Sequence, residues 1–148
     1  MAWWDEVEVG AAVPTQTLPI TYEVVAGLME STGDHFPGHH DPEYAKAQGN
    51  DTIYLNTMFV AGFFDRVVTD WAGPDAFIRR RRFRMMRSVC AGEVLTGQGT
   101  VTGKRIDDKG FRAIDVELRL DTEKGPFCAG QISVTRDPWF SPGGTRDE

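Results

Sequence analysis

All three histidines of the chain, His35, His39 and His40, fall within the nine residues Gly33 to Asp41, together with Asp34, Asp41, Gly38 and Pro37. Glycine and proline at that density exclude a helix interior or a central strand, so the segment is a loop. An imidazole and a carboxylate in one loop can activate a water. Histidine is substantially neutral at pH 7 and takes a proton, while a carboxylate orients the water and returns a proton. Part of the loop has a purely structural explanation. Asp41 stands before Pro42 and a helical stretch that ends at Gly49, the pattern of an N-cap with proline at the first helical position. Gly33 follows the helical pattern of residues 22–32, where a left-handed glycine is favoured. Asp34 and His39 have no such explanation and are the candidate catalytic pair. His35, His39, His40 and Asp41 also admit a metal site, but adjacent loop residues point apart and the spacing matches no common ligand pattern. His35 and His40 are expected to pack or to lie at the surface.

The elements that must position this loop can be read on either side of it. Residues 3–14 have no clear period and form an irregular lead-in, with Trp3 and Trp4 expected to cover a core edge. Thr15–Ile20 reads as a first strand, and Thr21 caps a helix that carries Val25, Leu28 and Met29 on one face. A short helix follows over 42–48. The strongest helical signal comes next: Met58, Phe59, Val60, Phe63, Phe64, Val67, Val68 and Trp71, capped by Asn56 or Thr57 and stopped by Gly73-Pro74. A helix over 57–72 is roughly 24 Å long. Its wide apolar face has to be wrapped. Strands over 77–86, 94–102, from Ile114 and over 128–134 supply the wrapping, joined by the loop at Asp107–Gly110 and the turn at Glu123–Pro126. The expected architecture is α+β, four strands in meander curled round one long helix, in a single domain over 1–137 with a flexible tail over 138–148. Sheet edges and an incompletely covered helix predict pairing with a second copy or a relative.

The chain has 148 residues, a net charge of -6 and a pI near 5.0. That balance excludes nucleic acid as the main partner, since such binding relies on a basic face. Cys90 and Cys128 form no metal-ligand spacing and are read as reduced and structural. The amino terminus lacks the order of a signal peptide, and the apolar run Met58–Phe64 is far shorter than the roughly 20 residues that span a bilayer, so a cytoplasmic location without membrane attachment is expected. The one basic cluster runs Arg79–Arg82 with Arg84 and Arg87. It reads either as a solvated strand edge or as a grip on phosphates, for which arginine's fork is suited.

Several stretches together resemble the MaoC-like branch of the hotdog family, the (R)-specific enoyl-CoA hydratases and dehydratases. These are Trp-Asp-Glu-Val-Glu-Val-Gly at 4–10, Gly-Asp-x-x-Pro-x-His-x-Asp-Pro at 33–42, Glu-Tyr-Ala at 43–45, Gly49, and Ala-Gly-Glu-Val-Leu-Thr-Gly at 91–97. Ala-Gln-Gly at 47–49 and Thr-Asp-Trp-Ala-Gly-Pro at 69–74 look like the small subunit of heteromeric hydratases acting on steroid side-chain CoA thioesters. The resemblance implies a hotdog fold, an antiparallel sheet wrapped around a long central helix. It also implies hydration of trans-2-enoyl-CoA by an Asp/His-activated water, with His39 as general base and Asp34 orienting the water beside apolar Phe36. The backbone N–H at Asn56 would serve the charge that develops on the thioester oxygen. Phe36, Gly38, Tyr54, Arg80 and Arg82 are the expected substrate-binding residues, the two arginines at the phosphates of coenzyme A. No cofactor is implied beyond the coenzyme A of the acyl-CoA substrate, and the expected assembly is a homodimer or a heteromer with a second hotdog chain. The family usually has asparagine where this chain has Phe36, and His-Gly where it has Leu55-Asn56. A partner subunit without turnover of its own, and a thioesterase, remain as alternatives.

Overall fold

The computed structural model describes residues 3–138. Trp3–Glu6 form a single helical turn, α1, and β1 spans Ala12–Pro19. The lead-in is therefore more ordered than its sequence suggested. β1 accommodates Pro14 because it is an edge strand whose register with its neighbour shifts between Val13 and Gln16. Helix α2 spans Tyr22–Thr32: Thr21 accepts a hydrogen bond from the Val24 N–H, and Gly33 ends the helix at φ 69°. A 3-10 turn at Pro37–His39 leads to α3, Pro42–Ala47, whose Asp41 cap accepts from the N–H groups of Glu43 and Tyr44. The long helix α4 covers Thr57–Ala72 behind an Asn56 cap. The remaining strands are β2 (Phe77–Met85), β3 (Val94–Ile106), β4 (Arg112–Thr122) and β5 (Gly125–Thr135).

The five strands form one antiparallel sheet in the order β1-β3-β4-β5-β2. The expected four-strand meander is corrected here. Only β3, β4 and β5 follow one another, while β2 crosses to the far edge and pairs with β5. The alternation that was legible in β4 places Ile114, Val116, Leu118 and Leu120 inside, where they join Leu95, Val101, Cys128, Ile132 and Val134. Against this surface lie Val60, Phe63, Phe64, Val67, Val68 and Ala72 of α4, which touches all five strands. Two glycines of β3 set how close the helix comes. A Cβ at Gly97 would lie 2.5 Å from Val67 and 3.3 Å from Phe63. Trp3 stacks edge-on against Trp71 at 5.5 Å and closes one end of the core. Both cysteines are free and buried, and burial pushes the Cys128 thiol up to about 11. The segment expected as a tail lies outside the described residues except for Pro138. No helix among the described residues is long and apolar enough to cross a membrane.

A buried polar knot ties the exit of β2 to the start of β3. Glu93, 3% exposed, accepts hydrogen bonds from Arg87 (2.9 Å), the Thr122 hydroxyl (2.7 Å) and the Cys90 N–H (2.8 Å). Burial alone would raise its carboxyl. The bonds from Thr122, Cys90 and Arg87 outweigh that and hold it below its ordinary value. A carboxylate with a depressed folded-state pKa contributes stability above its unfolded pKa and loses it as pH falls through the folded value. Glu93→Gln is therefore expected to be about 1–3 kcal/mol less stable than wild type at pH 7. The gap should narrow below the ordinary glutamate value of 4.5. Urea unfolding over a pH series measures this, and a gap constant with pH would contradict it.

Candidate active site

Phe36, Pro37, Gly38 and His39 close the loop between α2 and α3 because the 3-10 turn, started by proline at its first position, lets the His39 N–H reach the Phe36 carbonyl at 3.0 Å. The turn is clamped to the chain entering α4, where the Tyr54 N–H donates to the Gly38 carbonyl at 3.2 Å. His39 Nδ1 lies 2.7 Å from the Tyr54 carbonyl oxygen. A carbonyl only accepts, so Nδ1 carries the proton and the neutral ring keeps its lone pair on Nε2. Nε2 in turn stands 3.5 Å from Asp34 Oδ2, and Asp34 Oδ1 accepts the Phe36 N–H at 3.2 Å. The two side chains are only 10% and 29% exposed, His39 the more buried. The structure thus brings Asp34 and His39 face to face, and with the ring neutral and the carboxylate ionised the two facing atoms are both acceptors.

Aromatic rings complete one wall. Tyr54 packs edge-on against His39 at 5.1 Å, and Phe36 packs on His39 and on Tyr44, each at 5.6 Å. The Tyr54 hydroxyl donates to Gln48 at 2.8 Å and covers Gly38 so closely that a Cβ there would lie 2.3 Å from it. Glycine at 38 is thus required by the approach of Tyr54. Phe36 remains 41% exposed, at the mouth of this wall.

Asn56 enters the site by its side chain as well as its backbone. It is 1% exposed, and its Oδ1 accepts the Phe59 N–H at 2.9 Å. Its Nδ2 donates to the Thr32 hydroxyl at 2.8 Å, which donates to the Leu28 carbonyl at 2.6 Å and accepts the Asp34 N–H at 3.4 Å. The N-terminus of α4 is thus linked through Thr32 to the backbone of Asp34. The N–H groups of Asn56, Thr57 and Met58 meet no acceptor among the described residues, so the positive end of the helix dipole is open there. Thr32 was not singled out in the sequence; its one signal is a hydroxyl on the last residue of α2, directly before Gly33-Asp34. Asn56→Asp should isolate this link, because the carboxylate still caps α4 but has no hydrogen for Thr32. We expect a loss of about 1–3 kcal/mol in denaturant unfolding, whereas a variant as stable as wild type would mean the link contributes nothing.

The other expected residues divide. Gly38, Tyr54 and Phe36 surround His39. Arg80 and Arg82 do not join them: they pair in register with Ser133 and Gln131, on the outer face of the sheet, while α4 and the loop occupy the inner face. The alternative metal set is also dispersed, since Asp41 caps α3 and His40 Nε2 turns to the His35 carbonyl at 3.1 Å. No group of three or more His, Cys, Asp or Glu among the described residues is placed to hold an ion.

Comparison with known proteins extends the resemblance. The family model described as MaoC like domain matches residues 6–124. The 3-oxo-4,17-pregnadiene-20-carboxyl-CoA hydratase beta subunit of Mycobacterium tuberculosis is 35% identical over 94 residues, 64% of this chain and 73% of that protein. Among solved structures, a chain of the ChsH1-ChsH2 complex from Mycobacterium tuberculosis superposes with a TM-score of 0.78 at 29% identity, over 86% of this chain and 97% of that one. The (R)-hydratase from A. caviae involved in PHA biosynthesis superposes with a TM-score of 0.76 at 21% identity, over 88% and 97%. That last likeness is one of fold, and the fold is the hotdog. Because the family match takes in α2, the loop, α4 and most of the sheet, the chain belongs to the MaoC-like family.

Proposed function

We propose that this chain hydrates trans-2-enoyl-CoA thioesters to 3-hydroxyacyl-CoA, assembled with a second hotdog chain. The observation that carries the reading is the 3.5 Å gap between His39 Nε2 and Asp34 Oδ2, with Nδ1 held by the Tyr54 carbonyl. Two facing acceptors are satisfied together by a molecule with two hydrogens, so a water at the apex of the gap donates one to each. Its own lone pair is then free to add to the β-carbon of an enoyl thioester. As the bond forms, His39 accepts a proton, and the pair returns one through Asp34 to the α-carbon, ending as it began. Charge that builds on the thioester oxygen meets the open N–H groups at Asn56 and the start of α4; in comparable sites the loss of one such donor costs about 3 kcal/mol. The chemistry needs no group beyond these side chains and water. Phe36, Tyr44 and Tyr54 offer the apolar wall on which an acyl chain lies.

A bulky, steroid side-chain acyl group is supported by the substrate in the name of the Mycobacterium tuberculosis relative, and a heteromer by that relative's being a beta subunit. The test is spectroscopic. The chain, alone and with the hotdog chain that co-purifies with it, is mixed with a steroidal trans-2-enoyl-CoA and the enoyl absorbance is followed. Loss of absorbance with a product heavier by one water is the expected result. Absorbance unchanged in both mixtures overturns the proposal, and release of free CoA thiol replaces it with a thioesterase.

A further inference from the structure

The polar knot at Glu93 reaches the candidate site through the backbone. Residues 53–55, which lead into α4, run antiparallel to residues 89–91. The Leu55 N–H donates to the Val89 carbonyl at 3.0 Å and the Ala91 N–H to the Ile53 carbonyl at 2.9 Å. These two bonds flank Tyr54 and Cys90, which therefore face each other as a pair that exchanges no hydrogen bond of its own. In such a pair the N–H and C=O of each residue point away from the opposite strand. Beyond Tyr54 lies the turn that carries His39: the Tyr54 N–H donates to the Gly38 carbonyl at 3.2 Å, and the Tyr54 carbonyl accepts from His39 Nδ1 at 2.7 Å. Beyond Cys90 lies Glu93, whose Oε2 accepts the Cys90 N–H at 2.8 Å and whose own N–H donates to the Cys90 carbonyl at 3.2 Å. Glu93 thus grips this pair of strands on one side, and the pair grips His39 on the other.

The connection is short and dry. Ile53, Leu55, Val89 and Cys90 are all buried, so no water stands ready to replace a lost bond. Glu93 is itself anchored, because Oε1 takes both Arg87 at 2.9 Å and the Thr122 hydroxyl at 2.7 Å, which leaves Oε2 for the Cys90 N–H. Arg87 is fixed in turn by the carbonyls of Ser88 at 2.9 Å and Gly125 at 3.2 Å. We propose that Glu93 is a positioning residue for His39: by fixing Cys90 it fixes the Tyr54 carbonyl, and so keeps the ring proton on Nδ1 and the lone pair on Nε2. The partner of one ring nitrogen decides which tautomer a histidine adopts. The kinetic consequence rests on the hydratase reading above, whereas the tautomer is measured without substrate.

Glu93→Gln separates positioning from folding. The guanidinium of Arg87 and the Thr122 hydroxyl keep the amide oxygen, so the amide NH2 turns to the Cys90 N–H, donor against donor. Thr122→Val is the control, since it removes a bond from the far side of Glu93 and leaves Oε2 on the Cys90 N–H. The ring nitrogens of His39, assigned by their loss in His39→Ala, are observed by 15N NMR at a pH where the ring is neutral. Steady-state rates on a trans-2-enoyl-CoA are taken in parallel, at equal fractions of folded protein. We expect wild type and Thr122→Val to hold His39 with its proton on Nδ1. Glu93→Gln should add the Nε2-protonated form and lower kcat about tenfold with KM little changed. A His39 that stays wholly protonated on Nδ1 in Glu93→Gln overturns the proposal, as do equal losses of kcat in the two variants. If Glu93→Gln does not fold, Glu93→Asp decides by the same readouts. It keeps a charge for Arg87 but is one methylene too short to hold the Cys90 N–H as well, and an unperturbed His39 again overturns the proposal. Absence of turnover in wild type would remove the hydratase reading alone, because the nitrogen spectra still report whether Glu93 sets the tautomer.

Discussion

His39→Ala is expected to lower the hydration rate by about a hundred- to ten-thousandfold, the range spanned by general bases elsewhere. Alanine removes Nε2, the ring nitrogen that takes a proton from the water while Nδ1 is committed to the Tyr54 carbonyl. Asp34→Asn should act with similar severity for a different reason. The amide keeps an oxygen for the Phe36 N–H but turns its NH2 toward His39 Nε2. Donor then meets acceptor, the gap closes, and the water is expelled without any change of shape. The two effects should not add in the double variant, because each alone destroys the same water site. Steady-state rates of the assembled protein measure all of this. A His39→Ala or Asp34→Asn enzyme retaining more than about a tenth of the wild-type rate would remove the pair from the mechanism.

How far this site could be read in advance depended on which forces were local. Thr21, Gly33, Asp41, Asn56 and Gly73 punctuate the helices by bonds to residues a few positions away, so the bounds of α2, α3 and α4 were legible from residue order. The alternation of β4 was legible because one of its faces is wholly buried. The place of β2 was not. Its arginines mask the period, since Arg79 is half-buried and Arg81 faces α4, each paired with a carboxylate, Asp107 or Asp65, that lies far away in sequence. Nothing in 77–85 tells the strand to cross the sheet to β5. Asp34 and His39 could be singled out because capping left them unexplained. The bond from His39 to the Tyr54 carbonyl, and the bridge from Asn56 through Thr32, could not be: a backbone carbonyl carries no sequence signature, and a threonine at a helix end has many possible partners.

Phe64→Ala is expected to destabilise the fold by about 3–5 kcal/mol. Phe64 has no exposed surface, lies midway along α4, and packs against Phe83 of β2 at 5.3 Å between ring centres. Truncation leaves a cavity between the one helix and the sheet curled round it. The helix is held on several sides by Val60, Val67 and Val68, so the walls have little freedom to collapse. Gly97→Val tests the same contact from the opposite direction. Its Cβ would stand 2.5 Å from Val67 and 3.1 Å from Leu120, so the helix must retreat from β3, at a cost of about 1–3 kcal/mol. A cavity and an overpacked contact on one interface should both lower the urea midpoint while leaving the slope unchanged, because neither alters how much surface unfolding exposes. They differ in reach. Moving α4 away from β3 also moves its N-terminus relative to Asp34, to which it is tied through Asn56 and Thr32, whereas a cavity at Phe64 lies two turns further along. Gly97→Val should therefore lose more catalytic rate per kcal/mol of stability than Phe64→Ala. Equal rate losses at equal stability would mean that the helix transmits no displacement to the loop.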